Sequence, residues 1–323
     1  MNYIILDMEW NQGYPGAKVF IGDTRRQLSG EIIQIGAVKL NECFEVTDTY
    51  RRLVRPVFYR KMHYKVQELT GITKEQLLGA KSFTEVLPDF IAWCGEEHEF
   101  LIWGADDISI LRQNIEINKQ GGYKIHDWYN LQLIYNAQYK SEHKQVALST
   151  ACEALGINTE LQLHDALNDA LYTAEICKKL DMKTGLATCR SEQKNSEDSC
   201  KRKFRYYDFG NAKEALEFTS LTDNFCPLCG GELIAKSDYH RKYYNQFSAV
   251  RECEKHGFFV ENIIVSKINE NAVNSKYKSA KTIQRAKDSE SAFENIKAQK
   301  RRRRKHKKNG GEKQTVNNKI PEA

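Results

Sequence analysis

The run Tyr3-Ile4-Ile5-Leu6-Asp7-Met8-Glu9-Trp10 decides how the first half of this 323-residue chain is read. Its β-branched and aromatic residues predict a strand, and strand side chains alternate between faces. Asp7 and Glu9 therefore project from one face, while Leu6 and Met8 project from the other. Two carboxylates at i and i+2 on an otherwise apolar strand carry a large desolvation cost unless a cation offsets it. A hard divalent ion such as Mg²⁺ does so well, because it favours oxygen ligands. Taken alone, an Asp-x-Glu pair is more often an edge strand with two solvated acids.

Downstream, Glu31–Leu40 and Thr47–Val57 read as two more strands. After Pro56 the apolar spacing turns helical, over Val66–Gly71, Lys74–Gly79 and Ser82–Cys94, with glycine stops. Glu99–Gly104 is a short buried strand, followed by a helix from Asp107 to about Asn118. Tyr123–Trp128 is a candidate fifth strand. Helices are expected over Tyr129–Gln138, Ala147–Leu155 and Asp165–Leu180. Three strands in series, then helices interleaved with two more, imply an α/β fold: a mixed sheet flanked by helices.

Two further segments could complete an acidic site. In Trp103-Gly104-Ala105-Asp106-Asp107-Ile108 a strand stops and a helix begins. Either aspartate suits an N-cap there, and the carboxyl end of a strand is also where ligands gather in open α/β sheets. In His164-Asp165-Ala166-Leu167-Asn168-Asp169-Ala170, Asp165 can cap the helix, leaving Asp169 early on it and His164 at the mouth of the preceding loop. Ala166, Ala170 and Ala174 form a small-residue stripe that lets this helix lie close against a sheet, with Asp169 held near it. A lone loop histidine is more often a surface residue; the pattern around His164 singles it out.

Charge divides unevenly. Met1–Asp181 carries 19 Lys and Arg against 25 Asp and Glu, and the remainder 30 against 18, within a formal total of +6. Affinity for a polyanion is thus loaded on the C-terminal half. No apolar run approaches the ~18–20 residues of a membrane span, and Met1–Leu6 is too short, and lacks the basic flank, for a signal peptide. An intracellular, cytoplasmic protein without a membrane partner is expected. Cys43, Cys94, Cys152 and Cys177 sit singly in apolar patterns and read as reduced, small hydrophobes.

Residues 183–203 have a linker's composition, and 204–266 read as a small zinc-ribbon-like module. In it Cys226-x₂-Cys229 and Cys253-x₂-His256 are separated by 23 residues. That spacing suits a tetrahedral Cys₃His zinc site, structural because all four ligand places are filled. Pro227, Gly230 and Gly231 favour the tight knuckle such thiolates need. The stretch Glu232–Val250 reads as a hairpin arm bearing Lys236, Tyr239, His240, Arg241, Lys242, Tyr243 and Tyr244. That mixture suits single-stranded nucleic acid, although the module could instead dock a protein. Residues 267–323 read as a polar, disordered tail. Its basic run, Lys297–Lys308, adds non-specific phosphate attraction and would act as a nuclear localisation signal in a nucleated cell.

Together the three acidic segments resemble the DEDD superfamily of 3′→5′ exonucleases, which have an RNase H-like fold, and His164 places the likeness in the DEDDh branch. The likeness covers residues 1–182. It leans to the Eri-type histone-mRNA 3′-exonucleases and their KapD-like relatives through Asp7-Met8-Glu9-Trp10-Asn11, Glu31–Val38, Leu69–Thr73 and Trp103-Gly104-x-x-Asp107. The resemblance implies two Mg²⁺ (or Mn²⁺) held by Asp7, Glu9, Asp107 and Asp169. Asp7 would bridge both, Glu9 and Asp169 would hold the nucleophile side, and Asp107 would act through the second. It implies His164 as the general base and release of nucleoside 5′-monophosphates from a free 3′ end. Asp107 is preferred to Asp106 because Leu111 follows it by four, as in the family. Trp10 is expected either to stack on the terminal base or to be a plain core residue, with Met8 beside it as a second substrate contact. Single-stranded RNA is the implied substrate, yet nothing in the residues alone separates RNA from DNA. A DNA exonuclease of repair and a catalytically silent RNA-binding adaptor are the rivals. The full set of four carboxylates and a histidine speaks against the adaptor.

Overall fold

In the computed structural model the N-terminal run forms β1 (Asn2–Asn11), which lies inside a six-stranded sheet. β1 pairs antiparallel with β2 (Glu31–Leu40), and β2 antiparallel with β3 (Val46–Arg55). A two-residue β4 (Lys81–Ser82) adds parallel to β3, while β5 (His98–Ile102) and β6 (Trp128–Asn130) add in parallel beyond β1. The order is β4-β3-β2-β1-β5-β6. The structure describes residues 1–104, 106–123, 125, 128–139, 145–196, 201–227, 231–268 and 276–294. The chain divides into two units, Met1–Gln193 and Lys194–Ala323.

Helices cover both faces of this first sheet, so β2 is buried at nearly every position, as its near-continuous apolar run requires. The helices are α1 (Tyr64–Thr70), α2 (Lys74–Leu78), α3 (Phe83–Cys94), α4 (Asp106–Ile117), α5 (Leu131–Tyr139), α6 (Leu148–Ala154), α7 (Ala166–Lys179) and α8 (Met182–Ser196). Ile4, Leu6 and Met8 pack with Phe90 of α3 and Leu111 of α4, whereas Ile5 packs with Ala170, Ala174 and Cys177 of α7. The alternation read from β1 thus assigns its two faces correctly. The alanine stripe does bring α7 onto the sheet: a Cβ on Gly36 of β2 would lie 2.1 Å from the Ala166 carbonyl carbon.

Two boundaries differ from the sequence expectation. β6 begins at Trp128 and α5 at Leu131, because Tyr129, read as the start of a helix, pairs with Leu101 of β5. Of residues 183–203, those described are not a linker. They supply most of α8, whose Met182, Leu186 and Cys189 are buried in the core at helical spacing, and the start of the next strand. Gly185, which suggests a linker, is instead the close approach of α8 to Ile134.

The second unit holds β7 (Lys201–Phe209), α9 (Ala212–Leu221), β8 (Ile234–Ala235), β9 (His240–Tyr243), β10 (Gln246–Cys253), β11 (Gly257–Ile268) and β12 (Lys276–Arg285). They form a sheet of order β7-β12-β11-β10-β8, with β9 hairpinned onto β10. The arm is therefore a hairpin, but it belongs to a larger sheet than a zinc ribbon. The expected tail also begins too early, since β12 pairs with β11 over its whole length. β12 looks polar because Lys281 is a core residue: it is fully buried, 3.1 Å from Glu261, and donates to the Thr222 carbonyl. The run Lys297–Lys308 lies outside the described residues. Among those described, no helix is long and apolar enough to cross a membrane.

Candidate active site

β1 outlasts β5. The parallel pairing stops at Ile5, whereas β1 continues to Asn11 along β2. Beyond Ile5 the open edge of β1 therefore needs other partners. The Met8 N–H finds one in the carboxylate of Asp107 on the first turn of α4, at 3.0 Å. Asp107 is buried and Asp106 exposed, so the pair that the sequence leaves open resolves to Asp107 as the residue at the site. A β-bulge between Glu9 and Trp10 then re-aims the strand.

The third segment is fixed from β2 and β3. Asp165 caps α7 by accepting from the Leu167 and Asn168 N–H groups. Its other oxygen accepts from Gln34 Nε2 at 2.9 Å and from Arg51 Nη2 at 2.5 Å. Gln34 also accepts the Ala166 N–H, at 3.0 Å. Held this way, Asp169 faces the strand acids and accepts the His164 N–H at 3.2 Å. His164 takes a left-handed φ of 61°, and its exposed ring comes within 4.8 Å of the Glu9 and Asp169 carboxylates.

All five residues line one cleft of about 370 Å³, together with Met8, Trp10, Gln12, Val66, Leu69 and Thr70. Trp10 is half-buried, packed on Gly30 and against the core while lining the cleft. The side chain of Met8 is a core residue, 2% exposed. Nothing in their local sequence singles out Gln12 or Val66. Leu69 and Thr70 lie in a quoted motif that carried no role; the exposure of Leu69, an apolar residue, is the signal. Gln34 was equally visible, as the one uncharged polar side chain in the buried run of β2.

The electrostatics fit divalent cations. Among the described residues, no ion pair involves Asp7, Glu9, Asp107 or Asp169. Burial, then the charges of Asp107, Asp169 and Glu9, raise Asp7 well above the usual carboxylate range. Burial and the charges of Asp169, Asp107 and Asp165 push Glu9 up to about 8. Burial pushes Asp107 up to about 7 against the opposing Met8 hydrogen bond, and it raises Asp169 too. One buried oxygen of Asp169, Oδ1, has no hydrogen-bond partner. Clustered, unpaired oxygen donors of this kind are the donor set that Mg²⁺ or Mn²⁺ takes.

In the second unit, Cys226, Cys253 and His256 come together. His256 Nδ1 lies 3.6 Å from each sulfur. The Cys226 N–H closes a tight turn on the Gly231 carbonyl at 2.7 Å. Burial opposes ionisation of the Cys253 thiol, yet hydrogen bonds from His256 and nearby backbone N–H groups bring it down to about 7. Cys229 lies outside the described residues.

Residues 6–177, more than half of the chain, match the exonuclease (RNase T) family. The chain belongs to that family, in its DEDDh branch, with an RNase H-like fold. The family depends on divalent Mg²⁺ or Mn²⁺. Two curated relatives illustrate its range. The PolC-type DNA polymerase III of Clostridium perfringens is 33% identical over 150 residues, 46% of this chain and 10% of the polymerase. The 3′-5′ exoribonuclease 1 of Mus musculus is 27% identical over 161 residues, 46% of each chain. This chain thus spans a tenth of the first and under half of the second. Among solved structures, the nuclease domain of 3′hExo, a DEDDh family member bound to rAMP, is 26% identical with a TM-score of 0.46. That match covers 55% of this chain and 89% of the other.

Proposed function

We propose that the first unit hydrolyses phosphodiesters at a free 3′ end of RNA, releasing nucleoside 5′-monophosphates. The observation that carries this is the convergence of Asp7, Glu9, Asp107 and Asp169 with His164 in one cleft, the four carboxylates having no ion pair among the described residues. Asp7, Glu9, Asp107 and Asp169 would hold two divalent ions, which would supply neutralisation of phosphate charge and stabilisation of the leaving 3′-oxygen. His164 takes the proton of the attacking water. Its ring lies beside the Glu9 and Asp169 carboxylates, which stabilise the imidazolium that results. Trp10 and Leu69 offer an aromatic and an aliphatic wall for the terminal base.

The decisive variant is His164→Ala. Its kcat on labelled single-stranded RNA should fall about 10²–10⁴-fold, the range for a lost general base, with RNA affinity retained. Degradation at the wild-type rate would remove His164 from the mechanism. The PolC-type likeness supports a second substrate, DNA. Matched RNA and DNA oligonucleotides digested in parallel decide between them by their kcat/KM ratio.

We also propose a structural zinc ion on Cys226, Cys253 and His256, with Cys229 as fourth ligand. The shared distance of His256 from both sulfurs and the lowered Cys253 thiol support it.

A further inference from the structure

The sheet of the second unit has two unlike faces. On β12, Ser279 and Lys281 are buried beneath α9 and Ile283 packs with Cys226 and Cys253, while Lys278 and Gln284, at either end of that run, are exposed. The same alternation runs through β11, where Ile263 and Val265 are buried and Ile264 is 39% exposed. The segment after β12 covers one end of the outer face, where Ala292 and Phe293 pack on Val250 and Val260, while Ser248 is fully buried and Lys242 of β9 reaches Asn262.

Strand registers place the outer residues in rows. One row runs Arg205, Ala280, Ile264, Gln246 across β7, β12, β11 and β10. The next runs Lys203, Thr282, Asn262, Ser248 across the same strands, and Lys242 of β9 donates to Asn262 Oδ1 at 3.1 Å. Lys278 opens a further row opposite Ser266. Rows on one face are about 7 Å apart along a strand, two residues of rise. That is the order of one nucleotide of extended backbone.

The charge on this face has one sign. Lys203, Arg205 and Lys278 are exposed, and none forms an ion pair among the described residues. The carboxylates at the margins, Glu252 and Asp208, are already paired with Lys236 and Lys276. An outer sheet face normally mixes both signs, since nothing but water touches it. We propose that this face docks single-stranded nucleic acid. Lys203, Arg205 and Lys278, on three successive rows, contact phosphates, and exposed Ile264 in the middle row offers the bases an apolar contact. The surface runs onto the β9–β10 arm through Lys242, Gln246 and Ser248, whereas Cys226 and Cys253 pack with Phe259 and Ile283 on the inner face. It rests on the reading of the chain as a nuclease, for it would hold the strand whose end is cut.

The test uses the full chain carrying Lys203→Gln, Arg205→Gln and Lys278→Gln together, with retained zinc and thermal transitions as folding controls. Affinity for a long unstructured single-stranded RNA is measured across a salt series without added Mg²⁺, and hydrolysis of a trinucleotide with Mg²⁺. Losing three phosphate contacts should flatten the slope of log K against log salt by about 2, at ~0.7 per contact on single strands. Trinucleotide hydrolysis should stay at the wild-type rate. The charge-preserving pair Lys203→Arg and Lys278→Arg should keep the wild-type slope. An unchanged slope in the triple variant overturns the proposal, including the case where the same substitutions release an acidic protein instead. If the wild-type chain hydrolyses nothing, the nuclease reading fails while the salt slope still judges this face.

Discussion

Glu9, at about 8, and Asp107, at about 7, sit far above the range of exposed carboxyls, because burial and mutual repulsion penalise their charged forms. A carboxyl raised in the folded state contributes stability that is complete below its unfolded pKa and is lost as pH rises through its folded pKa. Chelated of Mg²⁺, the first unit should therefore lose several degrees of Tm between about pH 5.5 and 8.5, at about 2–4 °C per kcal/mol for a domain of this size. Excess Mg²⁺ should restore them by binding the ionised form. Asp7→Asn should raise the chelated Tm, flatten its pH dependence and abolish hydrolysis. Scanning fluorimetry at several pH values measures all of this; a chelated Tm indifferent to pH would refute the crowded-carboxylate account. At this scale the sequence was legible wherever a side chain has one plausible task. Asp106 and Asp107 could each cap a helix, and in the fold burial and the hydrogen bond from the Met8 N–H separate them.

Among the elements, α7 carries the most. Its placement depends on the absence of a side chain at Gly36, where a Cβ would meet the backbone of Ala166 and Leu167 at 2.1 and 2.2 Å. Backbone cannot move aside as a side chain can, so Gly36→Ala should push α7 outward. The expected cost is about 1–3 kcal/mol of stability, as for other overpacked sites. The kcat should fall further than that loss implies, because Asp169 and His164 ride on the same helix start. Denaturant unfolding and single-turnover kinetics report the two effects. A destabilised variant with full kcat would show that the site tolerates the shift. The alanine stripe made α7 readable from the sequence. α8 and β12 were not, for a common reason: their buried positions are disguised. Gly185 stands where a close approach needs it, and Lys281 sits in a core where its charge is matched by Glu261. Periodicity rules count such residues as solvent-facing.

At the scale of the whole molecule, the chain consists of two units, each with its own sheet. Their stabilities should answer to different ions. A strong zinc chelator should lower one unfolding transition, as loss of a structural metal does in small domains, and leave the Mg²⁺-sensitive transition in place. Cys253→Ser should reproduce the first effect, with zinc content measured by elemental analysis. A single transition that moves with both ions would contradict the independence of the units. The sheet order of the first unit follows from its run of strands and helices. The second unit extends beyond residues 204–266, because β12, whose polar sequence hides the buried Lys281, joins β7 to β11 inside its sheet.

The length difference between β1 and β5 sets a limit on how this scaffold can change. Asp107 occupies the stretch of β1 edge that a longer β5 would zip up. Extending β5 by two or three residues would give the sheet more ladder and evict the carboxylate in the same stroke. Insertions at this junction are therefore barred to any lineage that keeps the activity. Past α8 the chain instead forms a second unit with a sheet of its own.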